Sequence, residues 1–286
     1  MGCSDVSMLP KDCISAILSL TSPADASRSA MVSAAFRSAA DSDLVWDKFL
    51  PSDYRQILSR YFTTTPLKFS SKRELYSLLC HPNPIDAGNK ILRLEKWTGK
   101  KSYILSAREL SIAWGNDPLY WCWKSIPQSR FPEAVELRTI CWLEIHGKIK
   151  TQMLSPNTTY GAYLILKISN RAFGLDSIPS QVSVEVGNIA STGAAYLRRH
   201  DDQKGQMEGL FYSNRMQMLR SRVVSGDGVV QKMACEREDG WMEIELGEFF
   251  INGDEGCDEV KMSLMEVKGH HLKGGLIIEG IEVRPK

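Results

Sequence analysis

Between residues 80 and 91 the spacing of apolar side chains changes period, and this change limits the folds open to the chain more than any other feature. Upstream, Asp12 stands ahead of an apolar stripe of Cys13, Ile14, Ile17 and Leu18, and Ser70-Ser71 stands ahead of Leu75, Leu78 and Leu79. Those spacings fit the helical turn of about 3.6 residues. Downstream, Tyr163-Leu164-Ile165-Leu166-Lys167-Ile168 and Trp241-Met242-Glu243-Ile244-Glu245-Leu246 alternate with period two, as a strand with one buried face does. His81-Pro82-Asn83-Pro84 marks the join, because each proline pushes the residue before it out of helical geometry. The expected chain is multidomain, helical first and all-β second, with the boundary between Cys80 and Asn89.

In the helical part, Leu9-Pro10 leads into the first stripe. Ser22-Pro23 reads as a serine N-cap with proline at the first helical position, and Asp25 suits the helix dipole. Met31, Val32, Ala35 and Phe36 follow, then a one-sided helix with Leu44, Val45, Trp46, Phe49 and Leu50. Ile57, Leu58, Tyr61 and Phe62 form a further patch. A segment this short cannot bury so much apolar surface alone, so part of its face is expected to meet another protein.

In the second part, strands are expected at 91–95, 102–105, 121–125, 134–147, 160–169, 182–186, 241–246, 260–267 and 276–283. Many short strands separated by Gly, Asn and Pro turns predict a β-sandwich. Residues 187–240 are polar and weakly periodic, and read as long surface loops around a few short strands. The stretch 268–275, with His270 and His271, reads as a connection between late strands.

Residues 111–123 read SIAWGNDPLYWCW and hold three of the seven tryptophans. Trp114 and Trp121 flank a Gly-Asn-Asp-Pro turn, which brings its two sides together. Two indoles beside Asn116 and Asp117 suit a sugar, whose ring has apolar faces edged with hydroxyls. Trp114, Trp121 and Trp123 also suit the core of a sandwich, and on the residues alone that reading outweighs the sugar platform.

Several chemistries are excluded. Formal net charge is +1, so nothing in the bulk charge drives the chain toward nucleic acid or a membrane. No apolar run approaches the roughly 20 residues of a membrane span, and the opening residues lack the pattern of a signal peptide. Gly2 begins a myristoylation-like start, but Val6 stands where Ser or Thr is needed. The seven cysteines are scattered without a C-x-x-C pair, which argues against a disulfide framework or a zinc site and for the reducing cytoplasm or nucleus. His81, His146, His200, His270 and His271 have no metal-ligand spacing, and no metal or cofactor is expected. Nucleotide-binding and serine-hydrolase fingerprints are absent. Glu133, Glu136, Glu144, Glu243 and Glu245 could in principle supply a glycosidase pair, but acidic residues alternating along strands are usually a solvated face. Arg198-Arg199 and Arg220 to Arg222 read as solvated loops.

Leu9-Pro10, Asp12, Ile14, Ile17-Leu18, Ser22-Pro23, Val32-Ser33, Phe36-Arg37, Ala39 and Trp46 together resemble an F-box. The resemblance implies a small helical hook that docks on the Skp adaptor of cullin-based ubiquitin ligases. The residues it assigns to Skp binding are Leu9, Pro10, Ile14, Ile17, Leu18, Val32 and Trp46.

The second part is similar to the phloem protein 2 family, the Nictaba-type lectins. The likeness is carried by Leu105 to Leu110 with residues 111–123, by Glu136-Leu137, by Cys141 to Ile145, by Gly147-Lys148-Ile149, by Asp239 to Phe250 and by Gly280 to Pro285. The chain resembles in particular the plant subgroup that fuses an F-box to this domain. The implied organisation is an F-box at 1–50, a helical extension and linker at 51–84, and a jelly-roll-like lectin domain at 85–286. The resemblance implies binding of N-acetylglucosamine-containing glycans, with Trp114 and Trp121 on the sugar, Asn116 and Asp117 beside them, and Glu259 as a further contact. Trp123 is expected to be the most buried of the three indoles. The family's lysine-rich nuclear-localisation cluster has no equivalent, Arg198-Arg199 being too short.

The expected function is a non-catalytic adaptor: Skp and cullin partners at one end, glycan or glycoprotein clients at the other. The alternatives are a stand-alone carbohydrate-binding stress or defence lectin, and a protein-recognition module on the lectin fold without sugar binding.

Overall fold

The computed structural model describes residues 9–62, 67–176, 178–197, 222–224, 230–253 and 259–286. Among the described residues six α-helices come first: α1 Lys11–Leu18, α2 Pro23–Ser29, α3 Ala34–Ala40, α4 Asp43–Phe49, α5 Tyr54–Ser59 and α6 Lys72–Leu79. The strands are β1 Asn83–Ile85, β2 Lys90–Leu94, β3 Lys101–Ser106, β4 Ser111–Ile112, β5 Trp121–Lys124, β6 Ala134–Leu137, β7 Leu143–Lys150 and β8 Thr158–Phe173. After them come β9 Ser180–Val186, β10 Ile189–Tyr196, β11 Arg222–Val224, β12 Val230–Met233, β13 Cys235–Glu236, β14 Met242–Ile251, β15 Glu259–Glu266 and β16 Gly274–Pro285. The chain divides into two compact units, residues 1–103 and 104–284. Among the described residues no helix is long and apolar enough to cross a membrane.

In the first unit, short helices start where serine caps allow. The hydroxyls of Ser22, Ser33 and Ser71 accept from the amides of Asp25, Phe36 and Glu74 at 3.1, 3.3 and 3.2 Å. Each satisfies an amide that the first helical turn leaves without a partner. Helix α1 packs on α3 and α4, and α4 packs on α6. Trp46 lies at the centre of this packing, its ring centroid 5.2 Å from that of Tyr76. The Tyr76 hydroxyl donates to Lys96 O at 3.1 Å, and α6 packs on β2. Residues 83–103 therefore fold with the helices, so the helix-to-strand switch at Cys80–Asn89 lies inside this unit and the division falls later, within β3. Tyr61 bridges to Ile85, and Arg60 grips the Asp86 carboxylate with two hydrogen bonds of 2.9 and 2.7 Å.

In the second unit the strands form two sheets. One runs β16-β8-β14-β13, with β6 also on β16 and β5 on β6. The other runs β11-β12-β10-β9-β15-β7-β4. Strand β14 packs across β9, β10 and β15, joining the sheets face to face as in a sandwich. The approach is close: a Cβ on Gly247 would come 2.9 Å from Val184, and one on Gly147 would come 2.7 Å from Ile281. Gly247 adjoins a bulge in the β14–β8 register between Glu245 and Gly247.

One expectation changes here, and one strand left unplaced is located. The run 134–147 is two strands, because Ile140 bridges to Lys273 and turns the chain between β6 and β7. Within 187–240, β10 pairs with β9 from Ile189↔Val186 to Ala195↔Ser180. Its Ala, Ser, Thr and Gly content hid the alternation. Arg198-Arg199, His200 and Arg220 lie outside the described residues.

The first unit carries a pH-dependent link. Arg60, with help from Lys90, holds the Asp86 carboxyl down from an ordinary 3.8 to about 2. A depressed folded-state pKa contributes stability that is complete above about pH 4 and is lost as pH falls through about 2. Asp86→Asn should therefore lower the thermal midpoint at neutral pH, with the gap to the wild type closing as pH falls from 4 toward 2. Melting curves across that range test it; a gap that stays constant with pH refutes the assignment.

Candidate functional site

The site is built from the turn that follows β4. Ser111 pairs with His146 and Ile112 with Ile145, and the Ala113 amide donates to Glu144 O at 3.0 Å. The chain then reverses tightly. Gly115 N donates to Ile112 O at 2.9 Å and Asp117 N to Trp114 O at 2.9 Å, while Tyr120 N and Trp121 N share Asp117 O at 3.1 and 3.0 Å. One Asp117 carboxylate oxygen takes the Leu119 amide at 2.9 Å, closing an Asx-type turn. Trp114 has φ +54, a left-handed conformation that costs a non-glycine residue energy and persists only when its surroundings impose it.

What imposes it is the pair of indoles on β5. Trp121 and Trp123 are two residues apart and share a strand face. Trp121 Nε1 donates to Ala113 O at 3.0 Å, and Trp123 Nε1 donates to Gly115 O at 2.8 Å. Alternate indoles thus clamp alternate carbonyls on either side of Trp114. The Arg108 guanidinium covers Trp123, 3.6 Å from its ring centroid, and pairs with Glu133.

This corrects the expectation for Trp121. It is 2% exposed and belongs to the core, because its indole braces the turn from beneath. The expected order of burial also fails: Trp121 is the most buried of the three, and Trp123 is intermediate. Trp114 is 52% exposed at the tip, tilted against Tyr120 with ring centroids 5.9 Å apart. Asn116 is exposed beside it, and Asp117 is half-buried with one oxygen engaged by the turn.

Glu259 is not brought to this tip. It pairs with Lys150 at one end of the β15–β7 ladder, whereas Met265 pairs with Glu144 near the other. The six-residue step from Glu144 to Lys150 corresponds to roughly 20 Å of strand. Glu259 lines a separate polar cleft of about 510 Å³ with Lys150, Gln152, Glu185, Asn188 and Lys261.

Sequence reasoning also left out a polar group on β7, the strand that pairs with β4, and on the residue just ahead of it. Trp142 is 43% exposed, and its Nε1 donates to Glu144 Oε2 at 2.7 Å. His146 Nε2 meets the other carboxylate oxygen at 2.8 Å. The hydrogen bonds from His146 and then Trp142 hold the Glu144 carboxyl below the usual carboxylate range. The i, i+2 spacing of Trp142, Glu144 and His146 was the available signal, since it puts all three on one strand face.

The other glutamates considered for catalysis are each tied to a cation. Glu133 meets Arg108, Glu136 meets Lys124, Glu243 meets Arg237 and Arg284, and Glu245 meets Lys232 and Lys286. Cys13, Cys80, Cys122, Cys141 and Cys235 are free thiols.

The helical segment separates its expected contact residues into two groups. Leu9, Ile17 and Val32 are 40%, 49% and 70% exposed, and Pro10 is exposed with them. Ile14, Leu18 and Trp46 are 1%, 3% and 3% exposed, which corrects their assignment as docking anchors. They hold the helices together; the Trp46 indole donates to Ala40 O at 2.6 Å. Leu20, Met31 and Leu44 are exposed apolar residues that the motif reading left out of the contact set.

Residues 100–285 match the family described as Phloem protein 2. Over the full length the chain is similar to three proteins of Arabidopsis thaliana. It is 53% identical to F-box protein PP2-B15, over 98% of this chain and 96% of that protein. It is 50% identical to F-box protein VBF, over 98% and 99%, and 50% identical to F-box protein PP2-B13, over 97% and 98%.

The clamp predicts opposite outcomes for neighbouring indoles. Trp121→Ala should lower folding stability by about 3–5 kcal/mol, as removal of a buried aromatic does. Trp114→Ala should stay within about 0.5 kcal/mol of the wild type. Trp123→Phe, which keeps a ring and loses the bond to Gly115 O, should cost about 1 kcal/mol. Denaturant unfolding of the three variants measures all of this, and equal losses at 114 and 121 would contradict the clamp.

Proposed function

The chain belongs to the plant F-box proteins of the phloem protein 2 family, PP2-B type, and on that premise we propose that it is the substrate-recognition subunit of a Skp–cullin–F-box ubiquitin ligase. In this reading α1 to α4 form the F-box hook, the sandwich is a jelly-roll-like lectin domain, and clients are captured through N-acetylglucosamine-containing glycans. The chain itself is not a catalyst; ubiquitin transfer belongs to its partners. It acts in the cytoplasm or nucleus, where free thiols persist.

The observation that carries the reading is the exposure of Leu9, Ile17 and Val32 beside a core of Ile14, Leu18 and Trp46. Apolar residues held on a rigid frame and left in water are what a partner surface uses as anchors. Trp114 supports the glycan half in the same way. It is a half-exposed indole on a turn whose backbone is braced from beneath, with the exposed Asn116 two residues on.

The burial of Trp121 favours a second reading, a protein-recognition module on the same fold without sugar binding. Two measurements on the full chain decide among the readings. In a Skp pull-down, Leu9→Ala/Val32→Ala should abolish capture with an unchanged melting point, whereas Ile14→Ala should lose about 2–5 kcal/mol of stability as well. Undiminished capture by the double variant would leave a lectin without an adaptor role. In titrations with chito-oligosaccharides, Trp114→Ala should lose the binding that the wild type shows. A wild-type chain that binds neither chito-oligosaccharide nor N-glycan would leave the protein-recognition module.

A further inference from the structure

We propose that the outward face of β15 and β9 carries a groove for an extended peptide, which takes an acidic side chain at one end and an apolar side chain at the other. This rests on the adaptor reading, in which the β unit captures clients, and names the chemistry of one client segment.

The first ground is register. On β15 and β9 the side chains of Val260, Met262, Leu264, Val182 and Val184 are buried in the core. Alternation turns the residues between them to the other face. Three outward pairs follow one another there: Lys261 opposite Glu185, Ser263 opposite Ser183, and Met265 opposite Gln181. The first pair lines the polar cleft of about 510 Å³, and the third lines a second cleft of about 700 Å³. Only the serine pair stands between them. Serines are the shortest side chains of the three pairs, and these two bond to each other at 2.8 Å. The two clefts therefore open onto one groove. From Lys261 to Met265 is roughly 13 Å of strand, which an extended peptide covers in about four residues.

The second ground is the contrast between the ends. The second cleft is mainly apolar, with Ile178, Pro179, Ala194, Met265 and Val267 in its wall. The first holds Lys150, Lys261, Glu185 and Glu259. Lys148 stands directly opposite Lys261 on β7, and like charges so placed are unfavourable. Among the described residues neither Lys150 nor Lys261 enters an ion pair, and Glu259 comes only within 3.8 Å of Lys148. Three lysines against two glutamates leave this end with an excess of positive charge, which a ligand carboxylate would meet.

The third ground decides the class of ligand. A glycan of one repeating sugar presents the same groups along its length, and sites for such ligands draw on aromatic faces. Among the described residues no aromatic side chain lines either cleft. A peptide carries different side chains at successive positions, as these unlike ends require. Strand β15 pairs with β7 and β9, and β9 pairs with β15 and β10, so the backbones of both are already engaged. The peptide lies across the side chains and adds no strand, and the two clefts set its specificity.

The test pans the full-length protein against random dodecapeptides displayed on phage, beside Lys150→Glu/Lys261→Glu and Met265→Lys. The wild type should select an acidic and an apolar residue about four positions apart. The double variant should select a basic residue in place of the acidic one and keep the apolar one, and Met265→Lys should lose the apolar preference. In fluorescence anisotropy, a synthetic peptide of the wild-type consensus should bind each variant about tenfold or more weakly. Melting points should stay unchanged, because Lys150 and Lys261 are exposed and Met265 is partly so. The same consensus from all three proteins, or none from the wild type, overturns the groove. Displacement of the peptide by chitopentaose overturns its assignment to a peptide and gives the groove to a glycan. Skp capture separates these results from the adaptor reading: all three proteins should be captured equally, and a wild type that selects the peptide but captures no Skp overturns that reading alone.

Discussion

The constraint on which the β unit depends is the burial of two carboxylates on β16. Glu279 and Glu282 are both 0% exposed. Buried charges of this kind cost several kcal/mol unless cations and hydrogen bonds meet them. Glu279 takes the backbone amide of Arg130 at 2.6 Å and its guanidinium, while Glu282 takes Arg237 at 2.7 Å and Arg284 at 2.8 Å. Asp239 contacts both Arg130 and Arg237, and Trp241 Nε1 donates to Gln128 O at 2.9 Å. The loop after β5 and the turn before β14 are thus fastened to one central strand. Strand β5 carries the indoles that clamp the Trp114 turn, so the tip is positioned by a chain of contacts that begins with these charges.

A parallel division of roles holds in both units. On α1, Ile14 and Leu18 face inward and Ile17 faces water, although all three are apolar and closely spaced. On the turn and β5, Trp121 is core and Trp114 is tip. In each case the buried member fixes the backbone, and that fixed backbone displays the exposed one. Residue type alone does not separate the two roles, because the same apolar surface serves packing and recognition.

That is also where sequence reading reached its limit. Local features were legible: the Ser22 and Ser71 caps, the helical stripes and the alternation in 241–246 all follow from contacts within a few residues. The existence of two sheets followed from period and turn chemistry. Strand β10 was left unplaced among the few short strands expected in 187–240, because its small residues carry little hydrophobic signal. The Glu259 assignment failed for a different reason. Its position depends on the register between β7 and β15, strands separated by more than a hundred residues of chain, and register is set by long-range pairing rather than by any local motif. Trp121 was ambiguous for another reason: an indole flanking a turn can face out or brace the turn, and only the bond from its Nε1 to Ala113 O shows that it does the latter.

The clamp beneath the tip acts on the main chain: the indoles at 121 and 123 hold the carbonyls of residues 113 and 115. Every residue has such a carbonyl, so the brace is indifferent to which side chains the loop displays. Positions 114, 116 and 119 can therefore diversify over evolutionary time while the scaffold beneath them persists, limited mainly by the left-handed backbone at 114. A chain built on this frame can change what its tip presents by exchanging a few exposed side chains, with no need to reinvent the fold beneath them.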